Sequence, residues 1–235
     1  MEVLGHRGYP SPTTPENTLV SVEAALAAGA HGVEVDVRLT ADRVAVCLHD
    51  SDLRRVAGLA VIVERTCFAQ LRRLLLPGGH VIPTLREVAV AVAGRGRLVV
   101  DVKPDRRTSS LARGVLHGID GIADDDVVVS SFDPQVLLEV GRREPSRSLA
   151  LIDGEDLSRS VAWAIGLGCD ALHAELKAVL LQPHVMAEAR EARLALRAWT
   201  VNRPVDAELL ERTGATAVIT DEPAALLARQ PVTAH

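Results

Sequence analysis

Short apolar segments of strand length alternate with helical segments along most of the chain, and this alternation restricts the possible folds more than any other feature. Eight strands of this series are predicted, near 3–6, 33–38, 97–103, 127–131, 147–152, 169–174, 194–200 and 215–220. Most of them are followed by a predicted helix. Eight βα units within 235 residues predict an α/β fold, the closed (β/α)8 TIM barrel, as a single domain over residues 1–235. A doubly wound open sheet is the alternative.

The sequence also predicts how several helices begin and end. Thr14 followed by Pro15 predicts an N-cap with proline at the first helical position, and Gly29 predicts the end of that helix. Thr84 is the predicted N-cap of a later helix. The predicted helices lie near 15–28, 67–75, 85–93, 108–122, 133–143, 155–166, 177–192, 204–213 and 222–229. A further strand at 44–48 is expected to pair outside the barrel, and 51–83 is expected to be irregular apart from its one short helix.

Composition narrows the classes of partner. Only 2% of residues are aromatic, so a core made from the 48% hydrophobic residues must consist mostly of Ala, Val and Leu. A net charge of −5 argues against nucleic acid as the main partner, because phosphate backbones require a basic face. No apolar stretch approaches the roughly 20 residues of a membrane span, and no leader precedes the first strand, which predicts a cytoplasmic protein. Cys47 and Cys169 lie in apolar strands and are expected to be buried thiols.

Two carboxylates share one face of the second predicted strand. Side chains alternate along a strand, so Glu34 and Asp36 lie opposite the valines at 33, 35 and 37. On a half-exposed antiparallel strand they would form an ordinary solvated face. In a parallel sheet covered on both sides they are costly unless a cation holds them, and oxygen ligands suit Mg²⁺ or Ca²⁺.

Polar residues recur at the carboxyl ends of the other strands, where a (β/α)8 barrel has its active site. Asp101 adds a third oxygen ligand, and Lys103 and Arg7 supply positive charge for an anionic substrate. Two histidines from different strands can act as general acid and general base. The candidates at these strand ends are His6, Arg7, His49, Asp101, Lys103, Phe132, His173 and Trp199. A metal ion, two cations and two histidines around one cavity suit hydrolysis of a phosphodiester.

Several short motifs follow one another in the order typical of one enzyme family. They are His6-Arg7-Gly8, Pro15-Glu16-Asn17-Thr18, Glu34-Val35-Asp36-Val37, His49-Asp50 with Leu53, Arg55 and Gly58, Pro83-Thr84-Leu85, Ser131-Phe132, Trp199-Thr200-Val201-Asn202 and Ile219-Thr220-Asp221. Together, over residues 5–227, they resemble the glycerophosphodiester phosphodiesterases. The resemblance implies metal-dependent hydrolysis of small glycerophosphodiesters to glycerol phosphate and an alcohol. It also implies that His6 and His49 are the catalytic pair and that Glu34, Asp36 and Asp101 bind the metal.

The chain departs from the family pattern at three places. Asp101 stands where the family usually has Glu, and Arg43 stands where it usually has Gly in a hairpin turn. The segment 51–83 is too short for the inserted cap of some relatives, which predicts a more open substrate pocket. A lysophospholipase D, a phosphoinositide-type phospholipase C and a non-catalytic metal-binding scaffold are the alternative functions.

Some candidate residues have structural explanations that compete with functional ones. His173 can face the substrate or serve only the fold, and Phe132 and Trp199 can form an apolar wall for the substrate or simply fill the barrel mouth. Glu16 and Asn17 can reach the site or cap the first helix. Asp221 and Glu222 are interpreted as the start of the last helix, where negative charge is favoured. No Ser, Cys or Thr adjoins either His6 or His49 as a nucleophile, which favours attack by the substrate's own hydroxyl through a cyclic phosphate.

Overall fold

Eight parallel strands form a closed ring in the computed structural model, which describes residues 1–228. The strands of the chain are β1 (Glu2–His6), β2 (Gly32–Leu39), β3 (Ala45–Cys47), β4 (Asp52–Leu53), β5 (Leu59–Ile62), β6 (Leu75–Leu76), β7 (His80–Val81), β8 (Arg97–Val102), β9 (Val127–Ser131), β10 (Ser148–Asp153), β11 (Ala171–Glu175), β12 (Ala195–Trp199) and β13 (Ala217–Thr220). The ring runs β1-β2-β8-β9-β10-β11-β12-β13, and β1 closes it by pairing with both β2 and β13. The closed barrel is confirmed and the open sheet is excluded.

Helices surround the ring and cover its outer face. They are α1 (Leu19–Ala27), α2 (Arg54–Ala57), α3 (Phe68–Leu71), α4 (Leu85–Val92), α5 (Thr108–Ile119), α6 (Pro134–Arg143), α7 (Leu157–Gly166), α8 (Leu176–Leu181), α9 (Val185–Glu191), α10 (Pro204–Thr213) and α11 (Pro223–Leu227). Short 3-10 turns lie at Val63–Arg65, Pro77–Gly79 and Asp124–Asp126. Among residues 1–228, none of these helices has the length and apolar character needed to cross a membrane.

The alternation of side chains along β2 divides the core into two layers. Val33, Val35 and Val37 are fully buried and pack between the ring and the helices, as their spacing predicts. Small aliphatic residues such as Leu4, Val99 and those near them fill the inside of the ring below the site. Glu34 and Asp36 take the inward positions of β2 and are buried as well. The strand that carries them is therefore covered on both faces, and the solvated-face alternative is wrong.

Two details of the predicted helices are wrong, and both have local causes. The first helix starts at Leu19 rather than near Pro15, because the Thr18 hydroxyl accepts from the backbone N–H of Ser21 and forms the N-cap instead of Thr14. The predicted helix over 177–192 is two helices, α8 and α9. Pro183 lies between them, and proline disfavours helical backbone at the residue before it. The cap at Thr84 is confirmed.

The segment from 51 to 83 is more regular than predicted and packs beside the barrel mouth. It contains two small antiparallel pairs, β4 with β5 and β6 with β7, and two short helices. Its own apolar cluster includes Leu53, Val63 and Leu71 and joins Val46 of β3. β3 itself pairs antiparallel with β2 outside the ring, as predicted. This arrangement holds the loop after β3, with His49, against the carboxyl end of β2.

Arg43 occupies a left-handed backbone conformation, with a φ of 68°, in the exposed turn between β2 and β3. A side chain with a Cβ atom is unfavourable there, and glycine is not. We expect Arg43→Gly to raise the free energy of unfolding by about 0.5–1 kcal/mol, measured by urea denaturation. Arg106→Gly is the control, because Arg106 is exposed in a loop and has no positive φ. An equal or greater loss of stability in Arg43→Gly would contradict the expectation.

Candidate active site

One cavity of about 190 Å³ opens at the carboxyl ends of the barrel strands. Its lining contains all ten site residues predicted from the sequence, namely His6, Arg7, Glu34, Asp36, His49, Asp101, Lys103, Phe132, His173 and Trp199. Ser130, Ile152 and Ile219 complete the lining. The barrel geometry thus brings together residues that are far apart in the sequence, although their chemical roles remain predictions.

Three buried carboxylates form a cluster on one side of the cavity. β2 and β8 are neighbours, and their register places Asp36 beside Asp101, with Glu34 two residues earlier on the same face. One oxygen atom from each of the three carboxylates lies within 4.8 Å of the others. Oxygen-only ligands at this spacing suit a hard divalent cation.

Two cationic side chains adjoin this cluster. Lys103 Nζ lies 2.6 Å from an oxygen of Asp36 and 2.6 Å from an oxygen of Asp101. Arg7 Nε lies 3.0 Å from Asp36 Oδ2, and the Arg7 backbone N–H donates to Glu34 at 3.1 Å. Three carboxylates therefore share two fixed positive charges. The cluster is one positive charge short of neutrality when all three carboxylates are ionised.

Burial and the excess of negative charge shift the pKa values of the three clustered carboxyl groups. Burial, and then the charge of Asp36, raises the pKa of Glu34 to about 8. Burial also raises the pKa of Asp101, whereas Lys103 and Arg7 outweigh burial and lower the pKa of Asp36. Asp101 Oδ1 is buried and has no hydrogen-bond partner within residues 1–228. An unpartnered buried oxygen and a carboxyl group that resists ionisation both fit a site for a divalent cation, whose binding would displace a proton.

A carboxylate holds each of the two motif histidines by its Nδ1 atom. His6 Nδ1–H donates to Asp221 Oδ1 at 2.6 Å, and His49 Nδ1–H donates to Asp50 Oδ1 at 2.7 Å. A carboxylate only accepts, so each neutral ring keeps its proton on Nδ1 and leaves Nε2 able to accept one. Burial opposes charge on His6, but Asp221 and then Glu34 raise the pKa of this imidazole above its ordinary value.

Asp221 lies at the start of the last helix, as predicted, but its carboxylate binds His6, which was not predicted. It precedes α11 and does not cap it, since the N-cap residue is Glu222, which makes no capping side-chain bond. The Asn202 side chain donates to Asp221 Oδ2 at 2.8 Å and accepts from its backbone N–H at 2.9 Å. Asn202 thus fixes the carboxylate that holds His6. The closure of the ring through β1 and β13 was the sequence signal that could have placed Asp221 beside His6.

Asn17 also supports the site and does not cap the first helix. Its side-chain amide donates to Asp36 Oδ2 at 2.8 Å and accepts from the Asp36 backbone N–H at 2.9 Å. Asn17 is buried and has a left-handed φ of 56°, which asparagine tolerates better than most residues. The amide therefore fixes the orientation of the carboxylate that contacts both Lys103 and Arg7.

A chain of ion pairs links the two sides of the cavity mouth. Arg55 donates to Asp50 at 2.6 Å and to both oxygens of Glu16 at 2.7 Å, and Glu16 also accepts from Arg7 at 2.9 Å. The partner of His49 is thereby connected to the guanidinium beside Asp36. Glu16 reaches the site through Arg7 rather than acting as a helix cap.

Two aromatic side chains form an apolar wall that adjoins the charged cluster at Lys103. The rings of Phe132 and Trp199 meet edge to face, with their centroids 5.8 Å apart, and Lys103 Nζ lies 6.0 Å from the centroid of Phe132. Phe132 is 45% exposed, so it lies at the rim of the cavity and does not fill the barrel. The Trp199 indole N–H donates to the His173 backbone carbonyl at 3.2 Å. This wall is suited to the carbon skeleton of a polar substrate.

Comparison with known protein families gives one match over almost the whole chain. The sequence profile of the glycerophosphoryl diester phosphodiesterase family matches residues 6–225. A glycerophosphodiester phosphodiesterase of Caldanaerobacter subterraneus subsp. tengcongensis is 26% identical, with 96% of each chain covered. A glycerophosphodiester phosphodiesterase of Bacillus altitudinis is 25% identical, covering 94% of this chain and 95% of its own.

Solved structures show the same fold. A Thermotoga maritima glycerophosphodiester phosphodiesterase superposes with a TM-score of 0.83 at 30% identity, with 97% of each chain covered. An Oleispira antarctica phosphodiesterase, solved in complex with the product sn-glycerol-3-phosphate, superposes with a TM-score of 0.87 at 25% identity. That comparison covers 97% of this chain and 96% of the other.

Proposed function

Because the chain belongs to the glycerophosphoryl diester phosphodiesterase family, we propose that it hydrolyses small glycerophosphodiesters to glycerol phosphate and an alcohol. The observation that carries this proposal is the pairing, within one cavity, of three clustered carboxylates with two histidines that each have a carboxylate on Nδ1. The first set is suited to a cation and the second to proton transfer. Phosphodiester hydrolysis needs both, because charge must be neutralised at phosphorus and a leaving alcohol must be protonated.

Glu34, Asp36 and Asp101 would hold the divalent cation, which we propose is Mg²⁺ or Ca²⁺. All three offer oxygen atoms, and the cluster includes no Cys or His ligand of the kind that favours zinc. The cation would supply charge neutralisation at the phosphate when bound. Arg7 and Lys103 supply fixed positive charge beside the same place, and Asn17 keeps the Asp36 carboxylate in orientation.

His6 and His49 divide the transfer of protons. In our proposal one imidazole removes the proton from the substrate hydroxyl next to the phosphorylated carbon, and the other protonates the departing alcohol. The new P–O bond closes a five-membered cyclic phosphate as the bond to the alcohol breaks. Water then opens the ring with the histidine roles reversed, which gives glycerol phosphate. The lack of a Ser, Cys or Thr next to either histidine in the sequence supports this route over a covalent enzyme intermediate.

The test of this proposal compares substrates that differ in one group. We expect turnover of glycerophosphodiesters with choline, ethanolamine, glycerol or inositol head groups, and little turnover of an analogue that retains the diester but lacks the adjacent hydroxyl. Undiminished hydrolysis of the analogue would exclude the cyclic route and favour direct attack by water. A lysophospholipid and a phosphoinositide serve as further arms, and preference for either would reassign the substrate class. No turnover of any of them would favour the non-catalytic scaffold. The cytoplasmic location remains a prediction.

A further inference from the structure

A buried arginine lies beneath the cavity and contacts none of the groups that the proposed reaction uses. Arg197, on β12, is 7% exposed. It shares one face of the strand with Ala195 and Trp199, which pack against the apolar cluster inside the ring. Its Nη1 donates to Nε2 of His173 at 3.0 Å, and its Nε has no hydrogen-bond partner within residues 1–228. An arginine is costly to bury without a carboxylate. Its one side-chain hydrogen-bond partner among the described residues is a histidine that lines the cavity.

The contact determines the form of the His173 ring. An arginine side chain donates and cannot accept, so Nε2 of His173 must carry a lone pair and the ring proton must lie on Nδ1. The same contact excludes the imidazolium, which has no lone pair to offer. Burial, and then the charge of Arg197, lowers the pKa of His173 well below its ordinary value. The charges of Arg97, Glu2 and Asp170 act on Arg197. Burial and then Arg97 lower the pKa of Arg197 to about 10, so it stays charged at neutral pH.

The strand order places His173 across the cavity from the carboxylates. β11 is four strands from β2 in a ring of eight, so the two strands face each other. Arg197 and His173 are paired in register on adjacent strands, and Trp199 anchors the His173 carbonyl from the same strand as Arg197. Within residues 1–228 the His173 side chain makes one hydrogen bond, through Nε2. The Nδ1–H group is therefore the donor of the ring that can bind a molecule in the cavity.

We propose that His173 is a permanently neutral hydrogen-bond donor that binds a substrate oxygen through Nδ1–H, and that Arg197 is the positioning residue that fixes this tautomer. The proposal rests on the proposed phosphodiesterase function for the identity of the ligand. It gives His173 a role in substrate binding that is distinct from the proton transfer assigned to His6 and His49. Because β11 lies across the ring from β2, a substrate oxygen bound by His173 would be on the side away from the carboxylates, and the loss of this donor should appear in KM rather than in kcat.

Two substitutions of His173 separate the two ring nitrogens. The amide nitrogen of Asn lies near the place of Nδ1, and the amide of Gln lies near the place of Nε2. His173→Gln therefore keeps a partner for Arg197 and loses the donor, and His173→Asn does the reverse. We expect KM for glycerophosphocholine to rise by about tenfold to a hundredfold in His173→Gln and by no more than about threefold in His173→Asn. The opposite order would overturn the proposal.

The role of Arg197 is tested by measuring the tautomer and the charge of the His173 imidazole. We expect ¹⁵N NMR of the wild-type protein to show His173 as the neutral Nδ1–H tautomer from pH 5 to 8, with the signal assigned by its loss in His173→Asn. Arg197→Met should lose the fixed tautomer and raise KM. Arg197→Lys should preserve both, because lysine also donates. Arg142→Met is the control without effect on either, because Arg142 is exposed on α6 and binds Glu139. An Nε2–H tautomer or an imidazolium in the wild type would overturn the proposal. If the wild type hydrolyses no glycerophosphodiester, the proposed function fails, while the NMR result still decides the tautomer.

Discussion

His6→Ala and His49→Ala should each lower kcat by about 10² to 10⁴, the range for a positioned proton-transfer group. Each imidazole has its Nδ1 bound to a carboxylate, at 2.6 Å in His6 and 2.7 Å in His49, so Nε2 is ready to take or give a proton at the cavity. Proton transfer contributes in the transition state, and we therefore expect KM to change little. Steady-state kinetics with glycerophosphocholine at neutral pH measures both constants.

The control for these variants is His117→Ala. His117 is exposed on α5 and lies away from the cavity lining, so its loss should leave kcat unchanged. Asp221→Asn should lower kcat by an intermediate factor, because the amide lacks the negative charge that favours the Nδ1–H tautomer of His6. If either His6→Ala or His49→Ala keeps a kcat near that of the wild type, the acid–base pair has been assigned wrongly.

Chelation should abolish activity, and Mg²⁺ or Ca²⁺ should restore it. Removal of a residue that holds a metal ligand costs roughly 10- to 100-fold in metal affinity or activity, and we expect this loss for Asn17→Ala. Glu34→Ala and Asp36→Ala remove the ligands themselves and should lose more than that. Asp101→Glu should keep the cation, because it restores the residue usual in the family. Isothermal titration calorimetry measures cation affinity directly, and kinetics at saturating cation measures what remains of turnover.

Asp50→Ala is the matched comparison for the metal variants. Asp50 is a carboxylate close to the cavity, but its oxygens bind His49 and Arg55 and it is not part of the three-carboxylate cluster. We expect it to leave cation affinity near that of the wild type. Full activity after exhaustive chelation, or equal cation affinity in Asp36→Ala and Asp50→Ala, would disprove the metal assignment.

Local sequence patterns predicted the barrel because its units repeat. Each strand needs only a few aliphatic residues with a turn on either side, and the inward positions of β2 follow from alternation alone. Helix boundaries were less predictable where two signals compete. Thr14-Pro15 and Thr18 are both acceptable helix starts, and the hydroxyl of Thr18 is the one that reaches the N–H of Ser21.

The charged residues of the site could be predicted from the sequence, but the residues that hold them in orientation could not. Glu34, Asp36 and Asp101 are identified by residue type and strand position, and those two properties can be read from the sequence. Asn17 and Asp221 contribute through contacts with residues that are distant in the sequence: Asn17 and Asp36 are 19 positions apart, and His6 and Asp221 are 215 positions apart. Polar residues in loops have many possible partners, and only the closed ring selects among them.

The contact between His6 and Asp221 has a consequence for how the protein is made. Among the strands of the ring, β1, which carries His6, is translated first, and Asp221 follows β13, which is translated last. A nascent chain that has reached residue 103 already contains Glu34, Asp36 and Asp101, but His6 still lacks its carboxylate partner. The cation ligands are therefore all translated long before the carboxylate that holds His6. Translation must pass β13 before the ring can close and Asp221 can bind His6, so chains that end before β13 are expected to have no activity.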